Sequence, residues 1–343
     1  MGGLALKELQ DADEAAYEEF LHGHKEALLY HSLRYKRFLT DLLGCGTSYW
    51  LAVRDGRILG VLPLMVRDGP WGAVWNSLPY FGSHGGVIAR DTDASRALYH
   101  HYAAITSADD VAAATVVSSP FDVVDEGLLE FDLVDERIGQ FVSLEGSVAP
   151  PSERFLAAVA GSTRRNLRKA QQAGVSVRIE NAALDFVETE HRESMAFMRG
   201  RAKGPDFFRL INKYFTAGKD YNVYVGEIGG DTVAALLLFY YNRTVEYFTP
   251  VTRAAHRAAQ PMASIIWTAM ADAVRLGCTR WNWGGTWLNQ TGLYRFKKKW
   301  NTIDRPYRYY TRVRNNMLLE ATAAEVAAAY PGFYVVPFRA LRG

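Results

Sequence analysis

The chain has 343 residues, 49% of them hydrophobic, with 29 Gly, 12 Pro and two Cys, which excludes a collagen-like or disordered chain. Its length suits two domains, each able to bury its own core. A net charge of +2 hides a polarity: residues 1–147 hold 11 Lys+Arg against 22 Asp+Glu, and the remainder holds 28 against 15.

The basic half points to a polyanionic partner such as nucleic acid, nucleotide phosphates or anionic headgroups. The alternative is attraction between the two halves across an internal interface. The longest strongly apolar run, Val233 to Tyr241, has nine residues, too few to cross a bilayer. Lys7, Glu8, Asp11, Asp13 and Glu14 interrupt the start, so it lacks the apolar core of a secretory signal, and a cytoplasmic location is expected. Cys45 and Cys278 lie outside any CxxC or Cys/His spacing and read as incidental thiols, not as a disulfide framework or zinc site.

In chain order, Asp11 to Phe20 predicts a helix opened by an Asp11/Glu14 capping box, and Ser32 to Leu43 a second helix ending before Gly44. Tyr49–Val53 and Ile58–Leu64 then read as strands joined through Asp55-Gly56. A strand over Trp71–Leu78, a loop at Tyr80–Gly86, a helix over Ser95–Ser107 and strands near Ala113–Val117 and Phe141–Leu144 complete this half. Turn residues cluster at Gly146–Pro151, so the domains are expected at 1–147 and 148–343. Beyond the boundary, Ser152–Ala173 predicts one helix closed by Gly174, then a strand over Val175–Ile179 and helices near 183–199 and 206–217. A second hairpin, Tyr221–Glu227 with Val233–Tyr241, precedes a strand at Val245–Thr249, an amphipathic helix over Pro261–Leu276 and a strand at Arg280–Trp283. The last helix is expected near Asn315–Ala329, packing back on the first domain. The two hairpins and their flanking elements repeat one order, a long-period duplication of an α/β unit with a mixed sheet.

No P-loop, GxGxxG, GxSxG, HExxH or paired-histidine metal spacing is present. Three constellations remain. Arg164 with Arg168, and Arg165 with Lys169, stand four apart and suit an anion between like charges, or else form a solvated face. Trp281-Asn282-Trp283-Gly284-Gly285-Thr286, followed by Gly292 through Trp300, puts glycines beside aromatics, where a substrate backbone can approach a sheet end. Met198 to Pro205 is a basic turn with Arg199, Arg201 and Lys203, fit for a phosphate or carboxylate or merely a linker.

The run Thr163 to Ala170 with Ala173-Gly174-Val175, then Asn282 to Gly285 and Gly292 to Lys297, resembles the Fem family of peptidoglycan-bridge aminoacyltransferases and their shorter acetyltransferase-like relatives. The likeness covers Ser152–Tyr310 and extends more loosely to Tyr30–Ser32, Lys36-Arg37 and the Tyr80–Gly86 loop. It implies two tandem GNAT-type domains that move an aminoacyl group from aminoacyl-tRNA to an amine on a cell-envelope precursor. It also implies a reaction centre at Phe296 and Lys297, with the lysine stabilising the tetrahedral intermediate, and acceptor contacts at Lys36, Arg37, Arg201 and Lys203. Tyr247, Trp283, Gly284 and Gly285 complete the expected substrate site, and Arg164, Arg165, Arg168 and Lys169 the donor-phosphate site. Glu246 and His256 are candidate bases, beside proton loss assisted by the substrate.

The chain departs from the family in lacking a helical arm of long heptads. Where acetyl-CoA enzymes of this fold place a Gly-rich phosphate turn, Arg253–Met262 has no glycine and carries Pro261. The expected enzyme therefore holds no permanent cofactor and takes aminoacyl-tRNA, or alternatively acyl-CoA, as co-substrate. Its acceptor is a phosphate-bearing envelope precursor or a small amine such as an amino sugar, with peripheral membrane contact compatible with the charge. A nucleic-acid-binding module is the remaining, non-enzymatic class.

Overall fold

The computed structural model describes residues 3–121, 124–198 and 200–342. Its first stretch carries β1 (Ala5–Glu8), α1 (Glu14–His22), α2 (Leu33–Leu43), β2 (Gly46–Thr47), β3 (Trp50–Arg54), β4 (Arg57–Leu62), β5 (Met65–Arg67), β6 (Ala73–Asn76), β7 (Ile88–Ala89), α3 (Thr92–Ile105) and β8 (Val111–Val117). After β9 (Leu133–Ser143) come α4 (Glu153–Ala158), α5 (Gly161–Gln172), β10 (Ser176–Ile179), α6 (Leu184–Phe197), α7 (Pro205–Tyr214), β11 (Tyr221–Ile228), β12 (Asp231–Tyr241), β13 (Thr244–Thr252), α8 (Pro261–Arg275), β14 (Arg280–Trp287) and α9 (Thr291–Lys298). β15 (Ile303–Val313) and α10 (Ala323–Ala329) end the chain.

Two compact units result, Met1–Ile138 with Arg305–Gly343, and Gly139–Asp304. This differs from a single cut after residue 147. β15 pairs antiparallel with β8 from Tyr309–Val117 to Val313–Ala113, and Leu318, Val326, Tyr330 and Val335 pack with Val74, Ala112 and Ala113. Residues 305–343 thus complete the first core. Pro306 within a charged run conceals β15 in the sequence, although Tyr307 and Tyr309 are buried at strand spacing.

Local chemistry sets the element ends. Ser32 caps α2 through Tyr35 N–H, and Gly44 closes it at φ +58°. Asp55 and Gly56, at φ +50° and +74°, make the hairpin turn between β3 and β4. The capping box expected at Asp11/Glu14 instead joins Gln10 and Asp13, so a 3-10 turn over Asp11–Asp13 precedes α1. The helix expected over Ser152–Ala173 is two helices, because Val159 and Ala160 are extended and Val159 turns into the core. The expected last helix is likewise divided: a 3-10 turn at Asn316–Glu320 precedes α10, which the Thr322/Glu325 capping box starts afresh.

Both units repeat the same order: a strand, two helices, an antiparallel hairpin, a third strand, a helix and a further strand. In the first unit these are β1, α1, α2, β3–β4, β7, α3 and β8, and in the second β10, α6, α7, β11–β12, β13, α8 and β14. The first unit has an antiparallel sheet β1-β3-β4-β7 and a second sheet containing β15-β8-β6-β5-β2. In the second unit the sheet runs β10-β11-β12-β13-β14. Ile265, Ile266, Ala269 and Met270 of α8 pack on Ala234, Leu236 and Leu238 of β12 and on Trp281 and Trp283 of β14. The fold is a mixed α/β, tandem GNAT-like architecture.

Buried histidines make stability depend on pH. Burial pushes His31 down to about 4 and His191 to about 4, and lowers His84 strongly. Each is therefore neutral in the folded chain and protonates more readily when unfolded, near 6.5. Their contribution is present above that value and is lost as pH falls toward 4. The urea midpoint is expected to drop across this window, and the His31 and His191 imidazole signals to titrate near 4 by NMR.

Candidate active site

The central feature of the second unit is an opening between β13 and β14. These parallel strands pair at Thr244–Arg280, Val245–Trp281 and Glu246–Asn282. Both continue, to Thr252 and Trp287, with no further pairing between them among the described residues. An irregularity on the other side of β13 contributes. The β12–β13 register shifts between Leu237 and Leu238, so Phe248 is an extra residue between Tyr247 and Thr249. Phe248 stacks on Phe207 of α7 (5.6 Å, 7°) and meets Phe239 edge-on.

A line of hydrogen bonds runs through the start of the opening. Glu246 is 1% exposed, and its Oε2 accepts from Asn282 Nδ2 at 2.7 Å. Asn282 Oδ1 accepts from Gly284 N–H at 2.8 Å, and Gly284 takes φ +73°, which suits glycine. Lys297 of α9 is 3% exposed and donates to Gly284 O (3.2 Å), Gly285 O (3.3 Å) and Thr286 Oγ1 (2.8 Å). Thr286 donates to Gln140 Oε1, and Gln140 Nε2 donates to Tyr294 O and Thr302 Oγ1. A buried carboxylate and a buried lysine are thereby joined through a Gly-Gly segment. Desolvation pushes Lys297 down to about 7, so it changes charge near neutrality. Lys298 and Lys299 are exposed, and Lys298 pairs with Asp304.

Buried polar atoms on these strands, Thr249 Oγ1, Trp281 Nε1 and Trp283 Nε1 among them, have no partner among the described residues. Buried polar groups are normally satisfied, so their concentration here marks a place built for something besides packing. Tyr247 lies against Trp283 at 4.7 Å, and Phe296 meets Trp283 edge-on at 5.9 Å. His256, in the turn before α8, is half-buried, with no partner for its Nδ1 among the described residues.

The remaining expected residues divide between the units. Lys36, half-buried, sits over the Tyr49 ring at 5.0 Å, and burial lowers its pKa. Arg37 is exposed and pairs with Glu14. Both belong to the first unit, whereas Arg201 and Lys203 belong to the second. Arg201 is exposed on the α6–α7 loop, and Arg199 lies outside the described residues. Lys203 is half-buried over the Phe248 and Phe207 rings (5.3 and 5.8 Å), with its pKa pushed down to about 8 by burial. Its backbone N–H donates to His191 Nε2, which fixes that ring as neutral.

On α5 the four basic residues have different tasks. Arg164 donates to the carbonyl oxygens of Leu156, Ala157 and Val159, closing the end of α4. Arg165, Arg168 and Lys169 are exposed and make no ion pair among the described residues. Arg164→Ala is expected to lower unfolding free energy by about 1–2 kcal/mol, since charge-assisted bonds to carbonyls are lost. Arg168→Ala should stay within about 0.5 kcal/mol. Urea denaturation of both variants checks the contrast.

Sequence reasoning missed Gln140, Thr302 and the role of Asn282. Gln140 and Thr302 are far apart in the chain and carry no local motif. Asn282 is visible as a polar residue between two tryptophans in a strand, a period-two signal for a side chain on the opposite face.

Residues 158–298 match the family described as the acetyltransferase (GNAT) domain. This segment is a GNAT-type acyltransferase domain. The likeness in fold extends over nearly the whole chain. The structure of FemX is 14% identical with a TM-score of 0.71, covering 89% of this chain and 96% of that one. The C-terminal domain assigned to a lysylphosphatidylglycerol synthetase from Agrobacterium fabrum is 13% identical with a TM-score of 0.56, covering 95% and 99%. A tandem GNAT protein from the clavulanic acid biosynthesis pathway is 12% identical with a TM-score of 0.51, covering 91% and 99%. No curated protein matches the chain. The fold shared with FemX agrees with the Fem-like motifs of the sequence, and the GNAT domain makes the chain a transferase. Among the described residues no helix is long and apolar enough to cross a membrane, and no cluster of His, Cys, Asp and Glu could hold a metal ion.

Proposed function

We propose that the GNAT domain forms an amide in the β13–β14 opening, moving an aminoacyl group from aminoacyl-tRNA to an amine of a phosphate-bearing envelope precursor. The observation that carries this reading is the hydrogen-bonded line from Glu246 through Asn282 and Gly284 to Lys297. Amide formation needs two things: a group to accept the proton from the attacking amine, and positive potential where the donor carbonyl becomes an oxyanion. Glu246 supplies the first. The amine nitrogen attacks the acyl carbon, the ester C–O bond breaks, and the departing hydroxyl regains a proton.

Lys297 supplies the second by an indirect route. Its three ammonium protons are engaged by Gly284 O, Gly285 O and Thr286 Oγ1. Those bonds polarise two peptide groups whose N–H ends belong to Gly285 and Thr286, making each a stronger donor. Phe296 and Trp283 exclude water and strengthen the field. Arg201 and Lys203 on the α6–α7 loop suit acceptor phosphates. Among the basic residues of α5, Arg165, Arg168 and Lys169 remain available to a donor phosphate, while Arg164 serves mainly to hold α4.

Acyl-CoA is the second donor considered, with an amino sugar or other small amine as acceptor. The acetyltransferase (GNAT) domain match favours it, whereas the glycine-free turn before α8 favours acyl-RNA. Transfer of label from aminoacyl-tRNA or from acetyl-CoA, each incubated with envelope-precursor extract, tests the reading and separates the donors. A reaction in a cytoplasmic compartment is part of the same proposal.

A further inference from the structure

A cavity of the GNAT domain is lined in part by the α5 residues Arg164 and Arg168. It is a cleft of about 470 Å3 between α5 and α8, within the range of small-molecule sites. On α5 its lining residues, Arg164, Leu167, Arg168 and Gln171, follow the spacing of one helical face. On α8, Ser264, Trp267 and Thr268 do the same, on the side away from Ile265, Ile266, Ala269 and Met270, which pack on the sheet.

The chemistry of the lining is selective. It contains two guanidinium groups and no carboxylate. Arg164 is held by backbone carbonyls, whereas Arg168 is exposed and makes no ion pair among the described residues. Cations four residues apart repel, and an anion bound between them relieves the repulsion. Trp267 is half-buried, and its indole lies 5.9 Å from the Phe155 ring at 32°. A partly exposed indole backed by another ring is a stacking surface, and Ser264, Thr268 and Gln171 add hydrogen-bonding groups around it. A charged group alone would not need the indole, and an apolar group would not need Arg168.

From this arrangement we infer that the α5–α8 cleft binds the nucleotide end of the acyl donor, with the base on Trp267 and a phosphate on Arg168. The inference rests on the transferase reading and adds where the donor is anchored. The α8 helix separates the cleft from the sheet, a width of about 10 Å. A donor whose activated carbon is well removed from its base can span that. Both acyl-CoA and the 3′ end of an acylated RNA carry a nucleotide of this chemistry.

Calorimetric titration of the full chain with coenzyme A, and separately with an unacylated RNA minihelix ending in CCA, tests the inference without turnover. At least one ligand should bind. Arg168→Glu and Trp267→Leu should each weaken that binding roughly tenfold or more. Weakening confined to coenzyme A identifies a thioester donor, and weakening confined to RNA an acyl-RNA donor. Arg168 is exposed, so Arg168→Glu should keep the circular dichroism spectrum and urea midpoint of the parent even where Trp267→Leu perturbs α8. Binding of neither ligand, or parental affinity in folded Arg168→Glu, overturns the inference. The transferase reading fails by a different result, no transfer of an acyl group from either donor to any amine by a chain that still binds the ligand.

Discussion

Lys297→Met is expected to cut turnover by roughly 100-fold or more, while Lys299→Met leaves it near the parental level. The two lysines differ in place, not in type. Lys297 is buried with three bonds to Gly284, Gly285 and Thr286, whereas the Lys299 side chain is exposed. Met fills a similar volume and removes the charge, so the loss should fall on kcat rather than on folding. The pH profile gives an independent check. Burial places Lys297 at about 7, well below its ordinary 10.5, and its protonated form is the one that polarises the two peptides. Activity should therefore decline as pH rises through about 7, and the residual activity of Lys297→Met should lack that alkaline limb. Stability moves the other way. A lysine with a lowered folded value is disfavoured while charged, so its cost is full below about 7 and fades between there and 10.5. Chemical denaturation of the parent at pH 6 and pH 9 should show this rise, diminished in Lys297→Met.

Glu246→Gln is expected to reduce turnover by about 100- to 10,000-fold through loss of the base. Gln can still accept from Asn282 through its carbonyl oxygen, so the Asn282–Gly284 contact and the fold should survive. The loss should fall on kcat, in a variant that keeps the parental circular dichroism spectrum. Asn282→Leu should produce a smaller loss, because it removes a positioning residue and leaves the carboxylate in place. Its signature is a lowered kcat at parental urea midpoint, which simple destabilisation would not produce. Measuring kcat, KM and the urea midpoint for both variants distinguishes the two roles.

Much of the fold was legible because local signals agreed with tertiary need. The hairpins at Asp55-Gly56 and Gly229-Gly230, the α8 stripe and the closing glycines of α2 and α5 all formed as their chemistry predicts. What escaped depended on distant partners. β15 became a strand because β8 offers it a ladder and a core, despite Pro306. The break between α4 and α5 exists because Val159 is drawn inward, which helical spacing alone does not show. Of the three consecutive lysines, Lys297, the one the Fem resemblance implies at the reaction centre, is the buried member. Its helix was not foreseen, since Gly292 and the lysines read as a turn and a charged run. The full α8 pattern also holds more than its apolar stripe: Ser264, Trp267 and Thr268 share a second face, and a half-buried tryptophan there lines a cleft.

Transfer of radiolabel to an amine acceptor, measured for the parent and for Glu246→Gln under the same conditions, tests amide formation in the β13–β14 opening. Aminoacyl-tRNA pools and acetyl-CoA serve as separate donors, with envelope-precursor extract as acceptor. The parent should move label from one donor into an alkali-stable amide, and Glu246→Gln should form that product at least about 100-fold more slowly while remaining folded. Label that moves from neither donor, or at parental rate in Glu246→Gln, would contradict amide formation in the β13–β14 opening.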